Sequence, residues 1–382
     1  MEAQHVGEQE PKDPILRYVP RMLKFDDAPI EATGLSLDIY ARATIVMSSL
    51  FLGPALLSLA AEEAQIDCEA SGVDDIQECV ANARVYGFRP SSLLSNIAIA
   101  AGLFGALILP PFGAIMDHTS YRRRIGAISG LCLILVKGVE VMISLETWFF
   151  ITCLQVFSSV LFSIHLSSVY AYTSELGMDP NDQAKYNTYY FIVLFCSTLV
   201  FMVEVLAFAF IFDTNDVGTA RIALTIAAAT CIIFFGFAWT YLFRDRPPLS
   251  FVEEGQSVFF SGFRKLFRTS VKIKRELPAL RWFLASLIFA ESANNSLVTI
   301  ATTYMSHFLE MDAKEIGIVF FVALIMGAPG AKLGEYVALA TNPLFSVKCC
   351  DIVSSFWKKM LVLPHIGMLT HDCTLTSSRH IL

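Results

Sequence analysis

The stretch Pro110–Arg124, PPFGAIMDHTSYRRR, decides how the chain is read. It sets one acid, Asp117, and three consecutive arginines, Arg122, Arg123 and Arg124, between two long apolar runs. Upstream lies LLSNIAIAAGLFGALIL and downstream IGAISGLCLILVKGVEVMISL. Neither flank shows the polar face that a soluble amphipathic helix keeps toward water. A short basic segment between two oily ones is the pattern of a cytoplasmic turn between membrane-spanning helices.

The composition agrees. Of 382 residues, 55% are hydrophobic and 16% charged, where soluble domains carry roughly 25% charged residues. Too little polar surface remains to coat a soluble globule of this size, so the chain is placed in a lipid bilayer. The net charge of -7 is no nucleic-acid signature. Residues 1–40 hold no apolar core of a secretory signal and are rich in acids. The sequence carries no phosphate-cradling loop, nucleophile elbow or paired histidines on a helix. An enzyme is not expected, and neither a cofactor nor a metal site is implied.

Eight runs are apolar and near the ~20 residues that a span needs: 44–64, 93–116, 125–145, 148–172, 188–212, 221–243, 281–308 and 315–340. Backbone amides in lipid must be satisfied within their own segment, so these runs should be helices. Charge then sorts the connections. Segment 244–281 holds nine Lys or Arg against four acids, whereas 65–92 is acidic through Asp67, Glu69, Asp74, Asp75 and Glu78. The turns near 145–147 and 213–220 carry no Lys or Arg. Basic loops stay cytoplasmic, which puts the N-terminus, 117–124, 173–187 and 244–281 on that side. Cys68 and Cys79 share the acidic loop; they are bridged if it faces an oxidising compartment and are separate thiols if it does not. The other cysteines read as small buried hydrophobes.

The expected organisation is a cytoplasmic tail (1–43), a six-helix bundle (44–243), a cytoplasmic linker (244–280), a partial second bundle (281–341) and an aberrant polar tail (342–382). The basic part of the linker, 264–275, reads either as an amphipathic helix on anionic lipid or as a solvated charged segment. Past residue 341 no window qualifies as a span, and Lys358, Lys359, Pro364 and His365 interrupt the pattern. The sequence is therefore expected to be truncated or misread at its C-terminal end.

Six helices, a long cytoplasmic linker and a charged turn between helices 2 and 3 resemble the major facilitator superfamily. Gly113, Asp117 and the cluster Arg122–Arg124 stand at its signature positions; His118, Ser120 and Tyr121 depart from it. PPFGAIMD, YAYTSEL (Tyr170–Leu176) and GMDPNDQAKYN resemble one branch more closely, the autophagy-linked vacuolar amino-acid effluxers, over roughly residues 40–345. The resemblance implies an all-α integral membrane protein of the major-facilitator type, with six N-terminal transmembrane helices and about two of the second half. It implies export of small solutes, amino acids foremost, from a vacuole-like compartment by alternating access. The alternative is a non-transporting scaffold or receptor-like remnant. Gly113 would let helix 2 approach a neighbour closely, and Asp117 would pair with an arginine or cap a helix, forming a cytoplasmic latch with Arg122, Arg123 and Arg124. The alternative for those arginines is topology alone.

Ionisable residues inside spans are costly and mark cavities or partners. Glu291, Asn294 and Asn295 form a polar patch in FAESANNSL, on the helix that in this fold lines the central cavity. They are candidates for holding a substrate ammonium, with interhelical hydrogen bonding as the alternative. The sequon at Asn294 lies within a span, out of reach of glycosylation. His165 is either a cavity group or a satisfied core histidine. Glu204 either relays protons or is protonated and hydrogen-bonded. Lys137 and Glu140, three residues apart, read as a mutual ion pair, and Arg42 as an interfacial anchor. The expected partners are the bilayer and a small-molecule solute, with proton coupling an expectation from the acids.

Overall fold

A computed structural model describes residues 14–25, 29–72, 75–173, 176, 180–248 and 257–340. The aberrant tail expected at 342–382 lies outside the described residues. Among the described residues, β pairing is limited to one bridge, Val85 with Phe88. The helices are α1 (Ile30–Ala70), the short α2 (Ile76–Asn82), α3 (Leu93–His118), α4 (Arg122–Glu140), α5 (Trp148–Thr173), α6 (Pro180–Ile211), α7 (Asp216–Phe237), α8 (Val258–Glu276), α9 (Pro278–His307) and α10 (Ala313–Ala340). Two compact units divide after Val319. The first holds everything through that residue; the second, in its described part, continues α10 to Ala340.

Among the described residues, five helices are long and apolar enough to cross a membrane: Ile30–Ala70, Pro90–His118, Trp148–Thr173, Tyr189–Ile211 and Asp216–Leu242. These fall on five of the eight expected runs. Of the other three runs, 125–140, 281–307 and 315–340 are helical, while 141–145 form the turn after α4; α4 is not among the five. For α4 the reason is charge, since Arg122–Arg124 open it and Lys137 and Glu140 close it.

α1 is the axis of the first unit. It starts at Ile30, well before the expected residue 44, and at 1.5 Å per residue its 41 residues extend about 60 Å, twice the hydrocarbon thickness. Most of its side chains are buried, because α5, α6, α7 and α9 pack around it. Buried small residues such as Ala32, Ala41, Ala55 and Ala60 keep these contacts close. By contrast α3 exposes Ile99, Leu103, Phe104 and Leu107, as a lipid-facing helix does.

The ends of the helices group as the charge pattern requires. At one end Arg123 meets Asp245 at 3.5 Å, Arg246 meets Glu31 at 3.1 Å, and the Tyr172 hydroxyl donates to the Arg244 carbonyl at 2.7 Å. At the other end Cys68 and Cys79 form a disulfide, the Trp148 indole donates to Glu63, and Lys314 pairs with Asp213 at 3.1 Å. Helix caps sharpen that second end: Asp75 accepts from the Glu78 amide, Asn215 from the Gly218 amide, and Asp312 and Glu315 cap α10 reciprocally.

A single cysteine at Arg123 and one at Tyr86 should react with a membrane-impermeant maleimide from opposite faces of sealed vesicles. Labelling of both from the same face would contradict the assignment of these two ends.

Candidate functional site

At the centre of the first unit lies a carboxylate with no exposed surface, Asp38 of α1. Three helices supply its donors. His165 Nε2 of α5 lies 2.9 Å from Oδ1, and Trp239 Nε1, just past α7, donates to the same oxygen at 3.0 Å. Arg42, one turn along α1, donates from Nε to Oδ2 at 2.5 Å. An isolated buried carboxylate is strongly disfavoured, so the donors are what permit it. Arg42 is thus an inward ion-pair partner, not the interfacial anchor expected from the sequence. The expected span begins at 44 and leaves both Asp38 and Arg42 in the tail.

Local backbone shape delivers the Trp239 ring. After Phe237 the helix widens into a π-type turn over Ala238–Leu242, which places Trp239 against α4. There the residue is Gly126, where a Cβ would sit 2.0 Å from the indole ring. Only glycine leaves room for the ring to reach Asp38. Trp239 also stacks on Phe243 at 4.1 Å and contacts the His165 ring edge-on at 5.3 Å.

The far side of His165 is equally polar. Its Nδ1 lies 3.0 Å from Ser129 Oγ and 3.1 Å from the Gly126 carbonyl, and Ser129 Oγ donates to that same carbonyl at 3.0 Å. Ser129 has one proton and Gly126 O has none. Which ring nitrogen carries a proton sets the direction of each of these contacts. The ring is fully buried and hydrogen-bonded on both sides.

Lys137 and Glu140 form a buried ion pair at 2.8 Å. α4 and α5 run antiparallel, with Ser129 and Gly130 against His165. Eleven residues make three helical turns, so Glu140 falls on the Ser129 face and Gln155 near the corresponding level of α5. Among the described residues, Glu140 Oε1, Gln155 Nε2 and Thr152 Oγ1 are buried with no hydrogen-bond partner. The core is therefore a polar seam along α4 and α5, with Asp38–His165 at one level and Lys137–Glu140 at another.

The latch residues separate. Asp117 pairs with Lys265 of α8 at 2.9 Å, not with an arginine of its own motif. Arg122 is buried and its Nε donates to the Met116 carbonyl at 3.3 Å. Arg123 reaches Asp245 and the Thr240 carbonyl, and Arg124 lies over the Tyr121 ring. Among the described residues, a Cβ on Gly113 would meet nothing within 4 Å, so the close approach expected there is not seen with any of them. It occurs at Gly262 of α8, where a Cβ would come within 2.1 Å of the Pro110 carbonyl. Glu204 stands on the exposed side of α6, away from the buried seam. Glu291, Asn294 and Asn295 belong to α9, but their side chains lie outside the described residues.

At the end opposite the basic loops, a cavity of about 290 Å³ is lined by Ser58, Ser91, Asp216, His307, Glu310 and Asp312, among others. Its polar wall combines hydroxyls and carboxylates. Among the described residues, no group of His, Cys, Asp or Glu is arranged to hold a metal.

With this geometry in place, the comparisons decide the family. The model of the family described as "Vacuole effluxer Atg22 like" matches residues 177–370. The chain belongs to the Atg22-like vacuole effluxer family. No curated protein and no solved structure gives a significant match. The match begins just after Leu176: of the stretches that carry the resemblance, PPFGAIMD and Tyr170–Leu176 lie upstream of it and GMDPNDQAKYN, 177–187, lies within it. It also runs through 342–370, which the composition sets apart. Atg22-like proteins are transporters rather than enzymes, and the apolar helices make this chain a multi-pass membrane protein.

Sequence reasoning misses Asp38, Trp239 and Ser129. Asp38 and Arg42 do show a signal, an acid and a base four residues apart on one helical face. Trp239 shows none, because it meets Asp38 only through the fold.

Replacing Asp38 with Ala strands a buried arginine and histidine and should lower stability by about 3–5 kcal/mol. Gly126→Ala should cost about 1–3 kcal/mol by displacing the Trp239 ring. Asp245→Ala, at a partly exposed pair, should change stability by less than about 1 kcal/mol. Melting curves of the three purified variants against wild type check the order.

Proposed function

We propose that the chain carries small solutes, amino acids foremost, out of a vacuole-like compartment by alternating access between its two membrane faces. The family match carries this reading. The geometry of the first unit supports it. The end with basic loops is closed by Asp117–Lys265, Arg123–Asp245 and Arg246–Glu31, while the opposite end opens into the acidic, hydroxyl-lined cavity. A solute bearing an ammonium group fits the charge of that wall. Glu291, Asn294 and Asn295 on α9 are proposed as further cavity groups.

Proton coupling is proposed to run through the seam. His165 is held between Asp38 on one side and Ser129 and Gly126 O on the other, with Arg42 and Trp239 on the same carboxylate. A change in the hydrogen bonding of this ring would disturb the packing of α4, α5 and the Trp239 turn together.

Amino-acid efflux from vesicles reconstituted with purified protein should be faster with an inward-directed supply of protons on the cavity side than without. His165→Gln should remove that difference. Flux indifferent to the gradient in wild type would rule out coupling and leave facilitated diffusion; no flux above empty vesicles would overturn the transport reading.

The Asp117–Lys265 latch has its own test. Asp117→Ala should lower flux measurably, by up to about fivefold, since a partly exposed ion pair is worth at most about 1 kcal/mol. Membrane abundance should stay at the wild-type level. The swap Asp117→Lys with Lys265→Asp should restore flux. Flux that is unchanged in both variants removes the latch.

A further inference from the structure

Among the described residues, helix α8 is held to the bundle along one narrow side and presents two other faces. Gly262 and Lys265 hold it to α3, through the Pro110 carbonyl and Asp117. Phe259, Phe260, Leu266 and Phe267 share a different face, and all four are exposed, Phe260 at 66% and Phe267 at 72%. Arg268, Lys272 and Arg275 repeat at four and three residues along the remaining side. All three are exposed, and the stripe's counter-charge within the helix is Glu276, 4.0 Å from Lys272. The helix leaves the end of α3 where the basic loops gather.

We infer that α8 is a binding site for anionic phospholipid in the cytoplasmic leaflet, its phenylalanine face set among acyl chains and its Arg268–Lys272–Arg275 stripe against headgroup phosphates. Charge decides the occupant. A soluble partner that buried three phenylalanines would also have to cover or match a row of cations beside them. An anionic leaflet supplies the apolar and the negative layer side by side, in the order that the helix presents them. The anchorage makes the site consequential: Lys265, between the two faces, is the residue that pairs with Asp117, so lipid held on α8 bears directly on the turn between α3 and α4.

The test uses the full chain in nanodiscs of phosphatidylcholine with a minor share of phosphatidylinositol. Lipid retained by the purified protein is measured by mass spectrometry. Wild type should be enriched in phosphatidylinositol over the bulk mixture, and the variant Arg268→Gln, Lys272→Gln, Arg275→Gln should lose that enrichment about tenfold or more. Gln keeps the helical character, and an unchanged circular dichroism spectrum checks the fold. A second variant, Phe267→Trp, should have its added fluorescence quenched by brominated acyl chains. Absence of enrichment in wild type, or equal enrichment in the triple variant, overturns the inference. So does an added indole signal in the Phe267→Trp variant that stays unquenched in lipid and is shielded only when cytosolic protein is added. None of these readouts depends on transport, so a failure here leaves the transport reading standing.

Discussion

A carboxylate at Asp38 sealed from solvent sets the terms for the core of the first unit. Taking it out of water costs several kcal/mol unless donors converge on it. Those donors come from α1 itself, from α5 and from the turn after α7, and His165 in turn ties in α4 through Ser129 and Gly126. Apolar packing could bring these helices together in several registers, since lipid tails and leucine side chains are equally oily. The carboxylate allows one register, because a slip of one residue would leave a buried charge without a partner. Gly126 and the widened turn at Ala238–Leu242 are the backbone concessions that make the arrangement fit.

The two ends of the bundle are built differently. Where the basic loops gather, connections are held by ion pairs and side-chain bonds to carbonyls, which are individually weak and screened by salt. At the other end the connections are capped and, between α1 and α2, covalently tied, with Asp75, Asn215 and the Asp312–Glu315 pair closing helix termini. Loose contacts at one end and fixed ones at the other favour movement at the first.

Much of this is legible in the sequence, and the rest fails for identifiable reasons. The runs 93–116 and 148–172 fall almost on α3 and α5, because each is a long apolar segment ended by charge or a polar turn. Lys137 and Glu140 are readable as a pair from their spacing alone. A hydrophobicity window reads α1 too short because it treats Asp38 and Arg42 as outside the membrane-like segment, although they neutralise each other on one face. Gly113 sits in the right motif, yet closeness between helices is a property of the partner, and the partner brings its own glycine at 262. Trp239 lies so far along the chain from Asp38 that no local pattern links them.

The bond between Cys68 and Cys79 joins the far end of α1 to α2. Such a bond persists only where oxidising equivalents are at hand, whereas the cytosol keeps thiols reduced. A copy threaded through the bilayer the wrong way round would arrive with two bare sulfhydryls in its place. The clasp is thus a record of insertion, written only when the loop has reached an oxidising compartment and unreadable in any molecule that faces the other way.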